Sequence, residues 1–273
     1  MTEPVELLPG HKHGLLLASP VLAAAGSGVR PAAASGLGAV VTRTLTRRPR
    51  RPAPSPRFAE VPGGMVHRLH VGNEGLGKAL RRRNWAASAV PVIVSVTGTP
   101  EDCAHMAGRL DETPGVAGVE LSLWEFPPHE VEAVHTHSGL RRTLRVVSAV
   151  RVTTSLPVLV KLSPAEPDLA SLAQACVEAG ADVLVIGGPW PALAPAAKGD
   201  ELWEGWLSGP ALLPLVLLRV RQVAASVTAP VIGCGGVCSP ADVRAYLQAG
   251  AQAVQVGSAF LVDPAWSRLS SRP

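Results

Sequence analysis

The sequence predicts an α/β protein built as a closed (β/α)8 barrel, the TIM-barrel architecture, and three observations predict it. Eight short apolar runs recur along the chain, each followed by a longer segment of helical character. The length of 273 residues lies near the ~250 typical of one such barrel, so residues 1–273 are expected to form a single domain. Helix punctuation separates the runs: Thr99-Pro100-Glu101-Asp102 and Ser239-Pro240-Ala241-Asp242 read as N-cap, N1 proline and acidic first turn.

In chain order the runs are 21–25, 39–43, 92–96, 118–123, 158–162, 183–186, 231–234 and 253–256. They are apolar without alternation, as strands buried on both faces are, which points to a parallel sheet covered by helices. Between them apolar residues fall three and four apart, as in Leu169, Leu172, Ala173, Cys176 and Val177, and in Leu212, Leu215, Val216, Arg219, Val220 and Val223. Ala179-Gly180-Ala181-Asp182 and Ala249-Gly250-Ala251-Gln252 read as glycine C-caps handing over to the next strand. Eight such units favour a closed barrel over an open doubly wound sheet.

Two stretches interrupt the alternation, at about 44–64 and 187–209. The first is rich in Pro and Arg from residue 47, and the second carries Trp190, Trp203 and Trp206. Long excursions on the site face of a barrel are usually lids or substrate loops. For 47–56 an unstructured surface loop is the better expectation.

Composition narrows the function. Apolar residues make up 47% and charged ones 17%, which suits a packed core and excludes disorder. The net charge of +4 comes largely from arginines at 43, 47, 48, 50, 51 and 57 and from Arg81-Arg82-Arg83. No aromatic residues interleave them, so nucleic-acid binding is not expected, whereas an anionic ligand is compatible. Cysteines 103, 176, 234 and 238 lack paired CxxC spacing, which favours reduced thiols in a cytoplasmic protein and no metal centre. No run approaches the ~18 apolar residues of a membrane span. Residues 14–26 fit a strand entering the barrel better than a secretory leader.

The chemistry-bearing residues sit at strand ends. Lys161-Leu162-Ser163-Pro164 closes the fifth run, Gly233-Cys234-Gly235-Gly236-Val237 the seventh, and Val254-Gln255-Val256-Gly257-Ser258 the eighth. In a barrel all three converge at the C-terminal face. A lysine there can supply positive charge beside the N1/O2 edge of a flavin, where reduced flavin accumulates negative charge. Glycine turns can bring bare backbone N–H groups onto a phosphate.

Nearly the whole chain resembles the dihydroorotate dehydrogenase family of flavoproteins. The resemblance is carried by Ser19-Pro20-Val21-Leu22-Ala23-Ala24-Ala25-Gly26, by Leu37-Gly38-Ala39-Val40-Val41-Thr42-Arg43-Thr44-Leu45-Thr46 and by Pro62-Gly63-Gly64-Met65. Val119-Glu120-Leu121, Pro157-Val158-Leu159-Val160-Lys161-Leu162-Ser163-Pro164, Leu207-Ser208-Gly209-Pro210-Ala211 and the final glycine-rich pair continue it. The resemblance implies FMN as cofactor. It puts Lys161 against the flavin ring, Ala24, Ala25 and Gly26 along the ring, Gly209 near the ribityl chain, and Gly235, Gly236, Gly257 and Ser258 on the phosphate. Arg43, Thr44 and Ser95 complete the expected cofactor contacts.

The substrate half departs from the family pattern. A Thr-Lys pair becomes Thr42-Arg43, and an asparagine after Gly-Met-Leu becomes His67. Overlaying the family's Glu-Leu-Asn-(Ile/Leu)-Ser-(Cys/Ser)-Pro-Asn puts the catalytic base on Glu125 and two substrate asparagines on Ser122 and Pro127; another falls at Gly188. A pocket that loses such hydrogen-bonding partners loses discrimination for its former ligand. Trp124 and Phe126 flank Glu125 and can desolvate it, raising its pKa toward that of a working base. His67 and His129 are alternative acid–base groups.

The expectation is thus an FMN-dependent oxidoreductase acting on the CH–CH group of dihydroorotate or a dihydropyrimidine-like relative. The resemblance further implies a homodimer, with a separate electron-transfer subunit compatible. A flavin barrel with another substrate, or one serving as a non-catalytic partner subunit, is the alternative. A flavin-free phosphate-sugar barrel explains neither Lys161 nor the Leu-Ser-Gly-Pro-Ala block.

Overall fold

The computed structural model describes residues 4–68, 72–123, 137–188, 190–196 and 201–266. Eight parallel strands close into a barrel, and they coincide with the eight apolar runs: β1 Val21–Ala23, β2 Ala39–Val41, β3 Val92–Val96, β4 Val116–Ser122, β5 Val158–Leu162, β6 Val183–Gly187, β7 Val231–Cys234 and β8 Ala253–Val256. Neighbours in sequence are neighbours in the barrel, and β8 pairs with β1 to close it. Two runs are shorter than expected: 24–25 and 42–43 have already left the sheet, because the chain bends there to line the site.

The helices are α1 Leu76–Arg82, α2 Pro100–Asp111, α3 His137–Arg151, α4 Leu169–Glu178, α5 Leu213–Ala224, α6 Pro240–Gln248 and α7 Ser258–Val262. Between β1 and β2 the described chain forms only a short 3-10 turn, Pro31–Ala33. The caps form as the sequence predicts. Thr99 accepts a hydrogen bond from the Asp102 amide, and Ser239 and Asp242 make a reciprocal capping box. Gly180 and Gly250 end α4 and α6 with φ of 109° and 102°, a backbone region that favours glycine. On α5 the periodic pattern is too generous: Val216, Val220 and Val223 are buried, but Leu215 is 47% exposed and belongs to the outer face.

Strand alternation divides the barrel interior into two levels. Toward the bottom, Leu22, Ile93, Leu159, Val183, Ile232 and Ala253 pack into an apolar plug. An N-terminal hairpin, Val5–Glu6 with Leu16–Leu17, closes that end by inserting Leu7, Leu15 and Leu17. Residues 14–26 therefore divide between this hairpin and β1 rather than forming one entering strand. Toward the top the inward positions turn polar, with Ser95, Glu120, Ser122, Lys161 and Gln255 all buried. Polarity at the C-terminal level alone marks the functional end.

The two excursions meet. Phe58–Val61 and Gly64–His67 from the first, and Trp190–Pro195 and Leu202–Ser208 from the second, form one four-stranded antiparallel sheet. The joint is the pairing of Met65 with Ser208 and His67 with Trp206, and Val66, Ala194 and Trp203 form the sheet's own small core. The second stretch is thus ordered sheet for most of its described length, whereas in the first the sheet begins only at Phe58, and residues 47–56 form an irregular loop whose one bridge pairs Arg50 with Asn73. A tryptophan-rich strand can sit there because its indoles are buried, Trp203 and Trp206 being 6% and 3% exposed. Among the described residues, no helix is long and apolar enough to cross a membrane.

Candidate active site

A cavity of about 590 Å³ opens at the C-terminal ends of the barrel strands. This is a volume ordinary for a small-molecule or cofactor site. Its walls include, from the residues singled out by sequence, Ala24, Ala25 and Gly26 beyond β1, Arg43 and Thr44 beyond β2, Lys161 of β5 and Gly188 beyond β6. His67 and Gly209 reach it from the accessory sheet, Gly235 and Gly236 from the turn after β7, and Gly257 and Ser258 from the turn after β8. The structure brings thirteen residues chosen across 235 positions of sequence to one cavity.

Two selected residues lie deeper. Ser95 is fully buried on β3, where its hydroxyl lies 3.0 Å from the Thr44 hydroxyl and its amide donates to Thr42 Oγ1 at 3.2 Å. Ser122 is fully buried at the end of β4, in register with Lys161 on β5. Neither lines the cavity; Ser95 braces Thr42 and Thr44, which do. Glu125 and Pro127, together with Trp124, Phe126 and His129, lie outside the described residues.

Lys161 is 3% exposed and anchored from two strands. Its Nζ donates to Gln255 Oε1 at 2.7 Å, Gln255 Nε2 donates to Glu120 Oε2 at 2.6 Å, and Glu120 Oε1 lies 3.7 Å from Nζ. Sequence reading passed over Gln255 and Glu120 as candidates, although a signal was present. Both occupy inward positions of strands otherwise filled by apolar residues, where a polar group must have a partner.

The glycine turns have different reasons for being glycine. A Cβ on Gly236, whose φ is 70°, would come within 2.4 Å of the Leu213 amide nitrogen, and one on Gly209, at φ 118°, within 2.6 Å of Gly64 Cα. Those two are required by the protein's own packing. Gly257 is different: φ is −116°, and an added Cβ would meet only the Ala24 methyl, at 3.6 Å. Gly236, Gly257 and Ser258 contribute no backbone N–H to the turn and loop hydrogen bonds among the described residues. The β7 turn is held from beneath, where the Tyr246 hydroxyl donates to the Gly235 carbonyl at 2.7 Å. Bare donors, a missing side chain that packing does not demand and a buried cation fit a phosphorylated anionic ring cofactor.

Across the cavity the wall is made of side chains. His67 Nε2 lies 2.8 Å from Ser208 Oγ, and burial lowers the imidazole pKa to about 4, so the ring is neutral at physiological pH. Arg43 lines the cavity and also donates from Nε to the Gly72 carbonyl at 2.7 Å. Cys234, at the end of β7, lies beside Lys161, and burial pushes its thiol pKa up, so it stays protonated.

The chain matches the family model described as dihydroorotate dehydrogenase over residues 11–268. A protein of Pelobacter propionicus named "Dihydroorotate dehydrogenase B (NAD(+)), catalytic subunit" is 38% identical over 239 residues, which is 85% of this chain and 78% of that one. Proteins of the same name from Desulforudis audaxviator and Geobacter metallireducens are each 37% identical, covering 92% and 93% of this chain and 86% and 87% of their own. The chain therefore belongs to the dihydroorotate dehydrogenase family of oxidoreductases.

Proposed function

We propose that the protein binds FMN in this cavity and oxidises dihydroorotate, or a closely related dihydropyrimidine-like compound. The observation that carries the reading is the buried Lys161 ammonium facing the same cavity as the bare glycine turns after β7 and β8. In this reading Gly235, Gly236, Gly257 and Ser258 hold the phosphate through backbone donors. Gly209 leaves room for the ribityl chain, Ala24, Ala25 and Gly26 lie along the ring, and Lys161 sets positive charge at its pyrimidine edge. The flavin, when bound, supplies the two-electron acceptor. Thr44 and Ser95, hydrogen-bonded to each other, keep the β2 end in place.

Glu125 takes the substrate proton in this reading, since it occupies the family's base position in the overlay. A carboxylate serves if its pKa rises toward working pH. Arg43 supplies charge to an anionic substrate, while His67 and Gly188 stand where the family carries asparagines. That substitution favours a second reading, a flavin oxidoreductase for another substrate of similar shape. The relatives are named as catalytic subunits, which supports an electron-transfer partner, and we extend the family's homodimer and a cytoplasmic location to this chain.

The test is direct. Purified protein carrying one FMN per chain should bleach anaerobically on addition of dihydroorotate, and Glu125→Gln should slow that bleaching by about 10²–10⁴-fold. A colourless protein that takes up no FMN would overturn the proposal. Flavin reducible by dithionite but untouched by dihydroorotate would select the second reading.

A further inference from the structure

We infer that Glu120, acting through Gln255, is a positioning residue that keeps Lys161 protonated and aimed at the flavin site. The inference rests on the FMN reading above. Glu120, Gln255 and Lys161 come from β4, β8 and β5 and meet inside the barrel, with 0%, 0% and 3% of their surfaces exposed. The chain of contacts is ordered: Glu120 Oε2 accepts from Gln255 Nε2, which leaves Gln255 Oε1 turned to accept from Lys161 Nζ. An amide between a carboxylate and an ammonium has its donor end and its acceptor end fixed by its partners, so Gln255 holds one orientation. The other carboxylate oxygen, Glu120 Oε1, has no hydrogen-bond partner among the described residues and lies 3.7 Å from the ammonium.

Burying a carboxylate with one oxygen unsatisfied is costly, and packing alone does not explain it. The arrangement gains its purpose from the lysine. A buried ammonium without a counter-charge sheds its proton, with pKa shifts of up to about 3–5 units. The groups that face it include Glu120 from β4, the Cys234 thiol from β7 and the Gln255 amide from β8. Cys234 stays protonated and Gln255 is neutral, so the carboxylate of Glu120 is the counter-charge among these three. Glu120 also does not line the cavity, whereas Lys161 and Gln255 do. It acts on the cofactor only through them.

The experiment uses FMN-loaded wild type, Glu120→Gln and Gln255→Met, titrated with sulfite. Sulfite adds to flavin as an anion, and its affinity reports the positive charge beside the ring. Taking the ratio of dissociation constants, variant over wild type, cancels the ionisation of sulfite itself. Between about pH 6 and about pH 9 the Glu120→Gln ratio should rise about tenfold or more, as the buried lysine deprived of the Glu120 carboxylate loses its proton. Gln255→Met should move the same way by less, because the direct pair at 3.7 Å remains.

A ratio constant across pH within about threefold for Glu120→Gln would overturn the inference, whatever its absolute value, since a merely structural defect has no such profile. Should Glu120→Gln fail to load FMN, a flat profile in Gln255→Met overturns it equally. Wild-type protein that takes up no FMN would instead refute the proposed function on which the inference rests.

Discussion

The two walls of the cavity are specified in different ways. Along the turns after β7 and β8 and at Gly209 the wall is backbone, and at Gly236 and Gly209 any side chain would collide with main chain at 2.4 and 2.6 Å. On the accessory-sheet side, His67 and Ser208 meet through side chains carried by regular strands that would accept many other residues. A wall made of backbone admits little change without loss of the fold, whereas a wall made of side chains can be re-lettered while the sheet stays the same. In the proposed assignment, this is why the residues given to the cofactor keep the family pattern and those given to the substrate depart from it.

The sharpest way to break the first wall is to remove its charge. Lys161→Met leaves Glu120 buried without its cation, and losing one partner of a buried pair costs about 3–5 kcal/mol. Urea unfolding should show that loss. The double replacement Lys161→Met with Glu120→Met should recover most of it, since apolar packing can substitute for a buried pair. Neither variant should hold reduced flavin as wild type does. A single variant as stable as wild type would mean that the pair contributes nothing to the folded state.

Gly236→Ala comes next. At φ 70° an L side chain costs about 1–2 kcal/mol, and the overlap with the Leu213 backbone adds a strain of about 1–3 kcal/mol. Thermal unfolding should report a loss of about 2–5 kcal/mol in the absence of any ligand. The corresponding change on the other wall, Ser208→Ala, should cost no more than the ~1 kcal/mol of one hydrogen bond. Equal losses at the two positions would erase the distinction between the walls.

The legibility of the sequence follows the same division. All eight barrel strands could be read because each is a continuous apolar run, and nothing distant competes for them. The accessory sheet could not, because its strands lie in two excursions more than a hundred residues apart, and Leu202–Ser208 pairs with Gly64–His67 only in three dimensions. Lys161 was legible from its block, but its partners Gln255 and Glu120 required knowing which alternate residues of β4 and β8 face inward. Ser95 and Ser122 came from the family resemblance, and the alternation that turns them inward is what sets them below the cavity.

On the side-chain wall, His67 offers a pH test. Burial lowers its pKa from 6.5 to about 4, so between those values the unfolded chain binds a proton that the folded chain does not. Stability therefore falls as pH drops through that window and does not depend on this group above it. The full effect is about 3 kcal/mol at the acid end. His67→Asn, which restores the family residue, should flatten the curve relative to wild type between about pH 6.5 and about pH 4. Parallel curves for the two proteins would mean that the imidazole is not desolvated in the folded state.

The smallest change in stability is expected at the position that most directly separates fold from function on the backbone wall. Gly257 has φ −116°, and an added methyl would meet only the Ala24 methyl at an ordinary 3.6 Å, so Gly257→Ala should alter unfolding by less than about 1 kcal/mol. If glycine stands there to let a phosphate approach the backbone, FMN affinity should nonetheless fall, by about tenfold for each 1.4 kcal/mol of lost contact. Titration of apoprotein with FMN, followed by quenching of flavin fluorescence, measures it. In Gly236→Ala, stability and affinity should fall together, because strain and cradle share one residue. In Gly257→Ala they should part, and unchanged FMN affinity there would remove the β8 turn from the phosphate site while leaving the barrel intact.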